Sequence, residues 1–174
     1  MSVALFNLRE ELLKEASKKQ CVKIVQWVGN SQERFNELFQ LFLSTESRVV
    51  QRAAWPASYC VEAYPELIKP HFGQLFKKLS EENMVTGIKR NSMRLLQYVK
   101  VPKKYHGSLM DICFKYLASP TETVAVKVFS LYVLAILAKT YPDIWPEIKI
   151  LIEDQLPHQT PAFKSSAKKI LKTK

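Results

Sequence analysis

Apolar positions in this chain fall on two helical stripes, and both stripes return at a nearly constant interval. The first begins at Leu13 and comes back at Val50, Ile88, Val126 and Phe163, in steps of 37, 38, 38 and 37 residues. Four places after each sits a small residue: Ser17, Ala54, Ser92, Ser130 and Ala167. Seven places after come Gln20, Ala57, Leu95, Val133 and Ile170, and eleven places after come Ile24, Val61, Val99, Leu137 and Lys174. The second stripe is bulkier. Phe35, Leu38, Phe39 and Phe42 form an i, i+3, i+4, i+7 face, repeated by Phe72, Leu75, Phe76 and Leu79, then by Leu109, Ile112, Cys113 and Tyr116. Ile148, Leu151 and Ile152 begin a fourth copy, in which Gln155 breaks the last place. Each copy reads as an amphipathic helix.

The repeating unit is therefore a small-residue helix followed by a large-residue helix. The pattern predicts first helices over 9–28, 47–63, 85–99, 122–139 and 161–171. It predicts second helices over 32–43, 65–79, 105–117 and 143–156. Residues 1–8 read as a frayed lead-in, and Ser17 to Gln20 as a kink or split in the first helix. Gly29-Asn30 is a helix stop, Ser31 an N-cap, and Pro56 an internal kink. Tyr64-Pro65-Glu66 recurs as Tyr141-Pro142-Asp143, two periods on. A side chain no larger than Ala or Ser lets stacked helices approach to about 8–10 Å. A fixed period of this size predicts an all-α solenoid, without a strand-bearing core. One domain over 1–174 is expected, with repeats at 9–43, 47–80, 84–118 and 121–156 and a half repeat at 160–172.

Ser47 to Ala54 and Thr123 to Ser130 resemble the first-helix motif of HEAT repeats, in which an apolar, a basic and a small residue recur. Lys14, Lys89, Lys127 and Lys164 fill the basic place, and Gln51 replaces it in repeat two. The resemblance covers roughly 9–174. It implies a right-handed α-α superhelix of about four helical hairpins plus a terminal helix. It also implies a non-enzymatic scaffold presenting a curved surface to another macromolecule, with a protein held against the second helices. The aspartate often found before the basic residue is absent, so no Asp–Arg ladder is expected. Some HEAT-like solenoids are DNA glycosylases, which need a carboxylate among aromatics. Asp111 is the candidate here, and its place on a helix reads as solvated.

Composition and charge narrow the partner. A hydrophobic content of 47% places the chain among folded proteins. The excess of ten positive charges is uneven. Residues 1–82 carry 11 basic and 10 acidic side chains, whereas 83–120 carry seven and one, and 160–174 carry five and none. Lys89, Arg90, Arg94, Lys100, Lys103 and Lys104 gather in repeat three. Lys164, Lys168 and Lys172 follow at i, i+4, i+8 on the last helix. These nine form a candidate anion or partner patch, and nucleic acid is the alternative ligand.

Chemistry is sparse. The chain has no GxxxxGK[ST], GxGxxG, HExxH or GxSxG motif. Adjacent carboxylates such as Glu10-Glu11 point apart on a helix and make no acid–base couple. Cys21, Cys60 and Cys113 read as reduced core thiols, His71, His106 and His158 as surface histidines, and Trp55, Tyr59, Tyr98, Tyr132 and Trp145 as packing residues. No catalytic residue, cofactor or metal is expected. Met1 to Leu13 lacks the layout of a signal peptide, and Val128 to Ala138 is too short to span a bilayer. A cytoplasmic monomer without membrane attachment is expected.

Overall fold

The computed structural model describes residues 6–82 and 84–172, and these form ten α-helices, several 3-10 turns and no strand. The stripe position at Lys174, and the part of the lead-in over residues 1–5, lie outside the described residues. The chain divides into two compact units, Met1–Val99 and Lys100–Lys174.

The first unit holds α1 (Leu8–Lys14), α2 (Lys18–Val28), α3 (Gln32–Phe42), α4 (Ser47–Ala63), α5 (Phe72–Leu79) and α6 (Thr86–Leu95). The expected split of the first helix is real, and its cause is a cap. Ser17 Oγ accepts the Gln20 N–H at 3.0 Å and starts α2 afresh. Ser17 thus leaves the small-residue register and serves as an N-cap, half-exposed. Gln20, on the core face, donates its amide to the Glu11 carbonyl and carboxylate at 2.6 and 2.9 Å. Lys14 and Lys23 also bind that carboxylate, so Glu11 ionises well below its usual 4.5, at about 2. Phe6 is tied down rather than frayed, stacked on Trp27 at 4.4 Å.

Gly29 ends α2 with φ 51 and ψ −134, and its N–H reaches the Val25 carbonyl at 2.9 Å. That backbone is one only glycine takes without strain. Ser31 then caps α3, accepting from the Arg34 N–H. α4 runs through Pro56 without a break. Val50, Ala54, Ala57 and Val61 of α4 are all buried, as the first stripe predicts, and Ala53 joins them. The same stripe on α6 buries Ile88, Ser92 and Leu95. The helix expected over 85–99 stops at Leu95, and Leu96–Tyr98 follow as a 3-10 turn. On α3 and α5 the Phe-rich stripe is buried throughout, from Phe35 to Phe42 and from Phe72 to Leu79.

The second unit holds α7 (His106–Ala118), α8 (Val124–Leu137), α9 (Trp145–Gln155) and α10 (Pro161–Lys172). α8 packs chiefly on α7 and α10. Val126, Ser130, Val133 and Leu137 are buried on α8, and Phe163, Ala167 and Ile170 on α10. The two Tyr-Pro motifs take the same local shape in their own units. Tyr64 has φ −136 and ψ 79, and Tyr141 has φ −124 and ψ 75. A residue before proline is pushed out of the helical region, so the first helix stops there. In both copies a 3-10 turn precedes the next α-helix, Pro65–His71 before α5 and Pro142–Ile144 before α9.

Gln155, which spoils the last apolar place, has a structural partner in each direction. Its Nε2 donates to the Leu117 carbonyl at 2.8 Å, and its Oε1 accepts from Lys127 Nζ at 2.8 Å. Lys127 is the basic residue of the repeat motif, and it is buried. Loss of water around the ammonium lowers its pKa. A polar residue on the α9 stripe thus answers a buried cation on α8.

Candidate binding surface

The nine predicted patch residues divide between the units, three in the first and six in the second. On α6, Arg90 is exposed, while Lys89 and Arg94 are half-buried. Arg94 is fully engaged. Its guanidinium lies 4.4 Å from the Tyr59 ring centroid and binds Glu62 at 3.2 Å, so it fastens α6 to α4. In the second unit Lys100, Lys103 and Lys104 are exposed, with Lys104 Nζ 5.0 Å over the Tyr105 ring. On α10, Lys168 and Lys172 are exposed and Lys164 half-buried, joined by exposed Lys169.

Two of the three histidines are not surface residues. His71 is buried against Phe35 and Phe39, with ring centroids 5.6 and 4.6 Å away. Its Nε2 donates to Asn36 Oδ1 at 2.7 Å, and Gln74 Oε1 lies 3.3 Å from Nδ1. Burial lowers its pKa. Gln32 also donates to Asn36, and Gln40 to Gln74. The polar faces of α3 and α5 are therefore linked to each other. His106, in the second unit, donates from Nε2 to the Val101 carbonyl at 2.8 Å and accepts from the Tyr141 hydroxyl at 3.0 Å. These bonds occupy both ring nitrogens. Asp111 is exposed on α7, as expected. Among the described residues no group of three His, Cys, Asp or Glu side chains is placed to hold a metal ion. The three thiols are free and buried. Burial pushes Cys21 up to about 11 and Cys60 up to about 12, and raises Cys113 further in the same direction. Such thiols are poor nucleophiles at neutral pH.

Two of the aromatics expected to pack keep part of their surface in water, Trp55 at 36% and Tyr98 at 41% exposed, although Trp55 lies against Tyr59 with ring centroids 5.8 Å apart. Trp55 belongs to a feature that the sequence pattern did not single out. Two cavities, of about 120 and about 300 Å³, open between α2 and α4, and Trp55 lines both. The larger is floored by Cys21, Val22, Val25, Tyr59 and Ala63. Val22 is 42% exposed although it faces this apolar neighbourhood. The smaller is bordered by Arg52 and Pro56. Proline has no N–H for the carbonyl four residues back, so the helix leaves the Arg52 carbonyl without its partner there. Lys18, Lys19 and Lys23 stand along the outer side of α2. Lys23 is bound to Glu11, and Glu62 to Arg94. Lys18, Lys19 and Arg52 form no ion pair among the described residues. The signal for this groove lies in the residues off the core stripe. Val22 and Trp55 are large and apolar at positions the stripe leaves to solvent.

No helix among the described residues is long and apolar enough to cross a membrane. The family model described as HEAT repeat domain matches residues 8–174. No curated protein and no solved structure matches the chain.

Proposed function

We propose, from the premise that this chain belongs to the HEAT repeat domain family, that it is a non-enzymatic scaffold whose helical surface holds a protein partner. The groove of the first unit carries this reading. Val22 and Trp55 keep apolar surface in water on α2 and α4 beside one groove, where a partner's apolar side chains would bury it. The second helices of that unit, where the partner was expected, expose Asn36, Gln40 and Gln74, which already bond to one another or to His71. We place the protein in the cytoplasm as a monomer, which accords with its three free thiols.

Photo-crosslinking tests this. A benzophenone amino acid at Val22, Gln40 or Ile150, irradiated in cells of the source organism, should give discrete protein adducts from at least one position. Absence of adducts from all three would overturn the scaffold reading. Nucleic-acid binding is a second reading, favoured by the four lysines of α10. Each phosphate neutralised releases counterions, so affinity for generic duplex would fall steeply between about 50 and about 200 mM salt. No gel shift at the lower salt ends that reading.

A further inference from the structure

We propose that the groove between α2 and α4 seats a helical segment of the partner, an amphipathic helix with acidic side chains flanking its apolar stripe. This deepens the scaffold reading and rests on it. The floor supplies Val22, Val25, Trp55 and Tyr59, a surface suited to apolar anchors. Two helices lying side by side leave a furrow that a third helix fills by ridge-into-groove packing. α2 has 11 residues, about 16 Å at 1.5 Å per residue, which is room for about three turns of a guest helix.

Charge decides the flanks. The carboxylate on the larger cavity, Glu62, is already held by Arg94 at 3.2 Å. Lys18 lines the larger cavity and Arg52 the smaller, neither with an ion pair among the described residues, and exposed Lys19 follows Lys18 on α2. Set against the remaining carboxylate, Glu15, to which Ser17 Oγ donates, the charge left unanswered is positive, so complementary carboxylates on the guest would steer and orient it. A phosphate backbone fits poorly, because it would lie on four apolar side chains.

Two fluorescein-labelled helical peptides of about 18 residues test the assignment. Both carry leucines at i, i+3, i+4 and i+7. One has glutamates on the flanks and the other has lysines at the same places. Fluorescence anisotropy should show the glutamate peptide binding about tenfold tighter or more. Val22→Glu should weaken that binding by a similar factor, and Lys18→Glu with Lys19→Glu should reverse the preference between the peptides. All these positions are exposed, so circular dichroism should show folded variants. Equal binding of the two peptides would overturn the proposal, as would glutamate-peptide affinity that ignores Val22→Glu. If the peptides fail while adducts form at Gln40 or Ile150, the groove assignment falls and the scaffold stands. If no position gives adducts, the scaffold reading falls as well.

Discussion

Replacing Gln155 by leucine would complete the apolar stripe of α9, and the structure predicts that this improvement destabilises the protein. Gln155 Oε1 accepts from the buried Lys127 ammonium at 2.8 Å, and its Nε2 serves the Leu117 carbonyl at 2.8 Å. Leucine removes both bonds and the one that Oε1 accepts from Gln159 at 3.1 Å, though half-buried Gln159 can turn to water. A hydrogen bond to a charged group is worth about 1.5–3 kcal/mol, and a neutral one about 1 kcal/mol. Leucine has nearly the helix propensity of glutamine. Gln155 is half-buried, so added apolar burial returns about 1 kcal/mol. The net loss should be about 1.5–3 kcal/mol. Lys127→Met removes the cation and leaves the Gln155 bond to Leu117 intact, so it should be close to neutral. In the Lys127→Met background, Gln155→Leu should then be close to neutral, because the donor lost by the Leu117 carbonyl, about 1 kcal/mol, is offset by the same apolar burial. Urea unfolding of the four proteins closes the cycle, with midpoints compared at constant m. A neutral or stabilising Gln155→Leu would refute the reasoning. So would an equal loss in both backgrounds, since it would mean the two side chains do not depend on each other.

Three further outcomes follow from single sites. The Ser92 hydroxyl is buried without a hydrogen-bond partner among the described residues, so Ser92→Ala should raise stability by about 1 kcal/mol in the same urea assay. Gly29→Ala forces a Cβ onto φ 51, ψ −134 and should cost about 1–3 kcal/mol, read as a lower melting temperature. Acid should weaken the fold in two windows. His71 binds its proton less readily folded than its usual 6.5, so the unfolded chain takes up protons first and stability falls as pH drops below about 6.5. Glu11 titrates at about 2 folded against 4.5, so its contribution is intact above 4.5 and disappears between 4.5 and about 2. His71→Gln should flatten the upper window and Glu11→Gln the lower one in a pH series of urea midpoints.

The core was legible because it is periodic. Val50, Ile88, Val126 and Phe163 are buried, and so are the small residues four places on in the same four repeats. Gly29, Ser31 and the two Tyr-Pro motifs act as local chemistry requires, with no help from tertiary packing. What escaped were polar residues at core positions. Ser17 looks like another small crossing residue, but a serine ahead of a helix competes for the cap, and the break at Glu15–Ala16 gives it one. Gln20 and Gln155 look like flaws in a stripe because their partners, Glu11 and Lys127, sit on other helices. His71 reads as a surface residue because its phenylalanine neighbours are 32 and 36 residues away. The groove was hidden for a related reason. A periodic core pattern marks the inward face, and Val22 and Trp55 announce themselves only once α2 and α4 lie side by side. The charge count could not tell that Arg94 is bound by Glu62 and Tyr59 while Lys18 and Lys19 have no ion-pair partner among the described residues.

The claim beneath all of this is that the recurring small residues mark where first helices are pressed together. Leucine introduced at Ala54, which is 2% exposed, can be compared with leucine at Gln51, which is exposed on the same helix. Urea midpoints should fall by the equivalent of about 1–3 kcal/mol for Ala54→Leu and stay within about 0.5 kcal/mol for Gln51→Leu. Equal effects at the two positions, or a larger loss at Gln51, would contradict it.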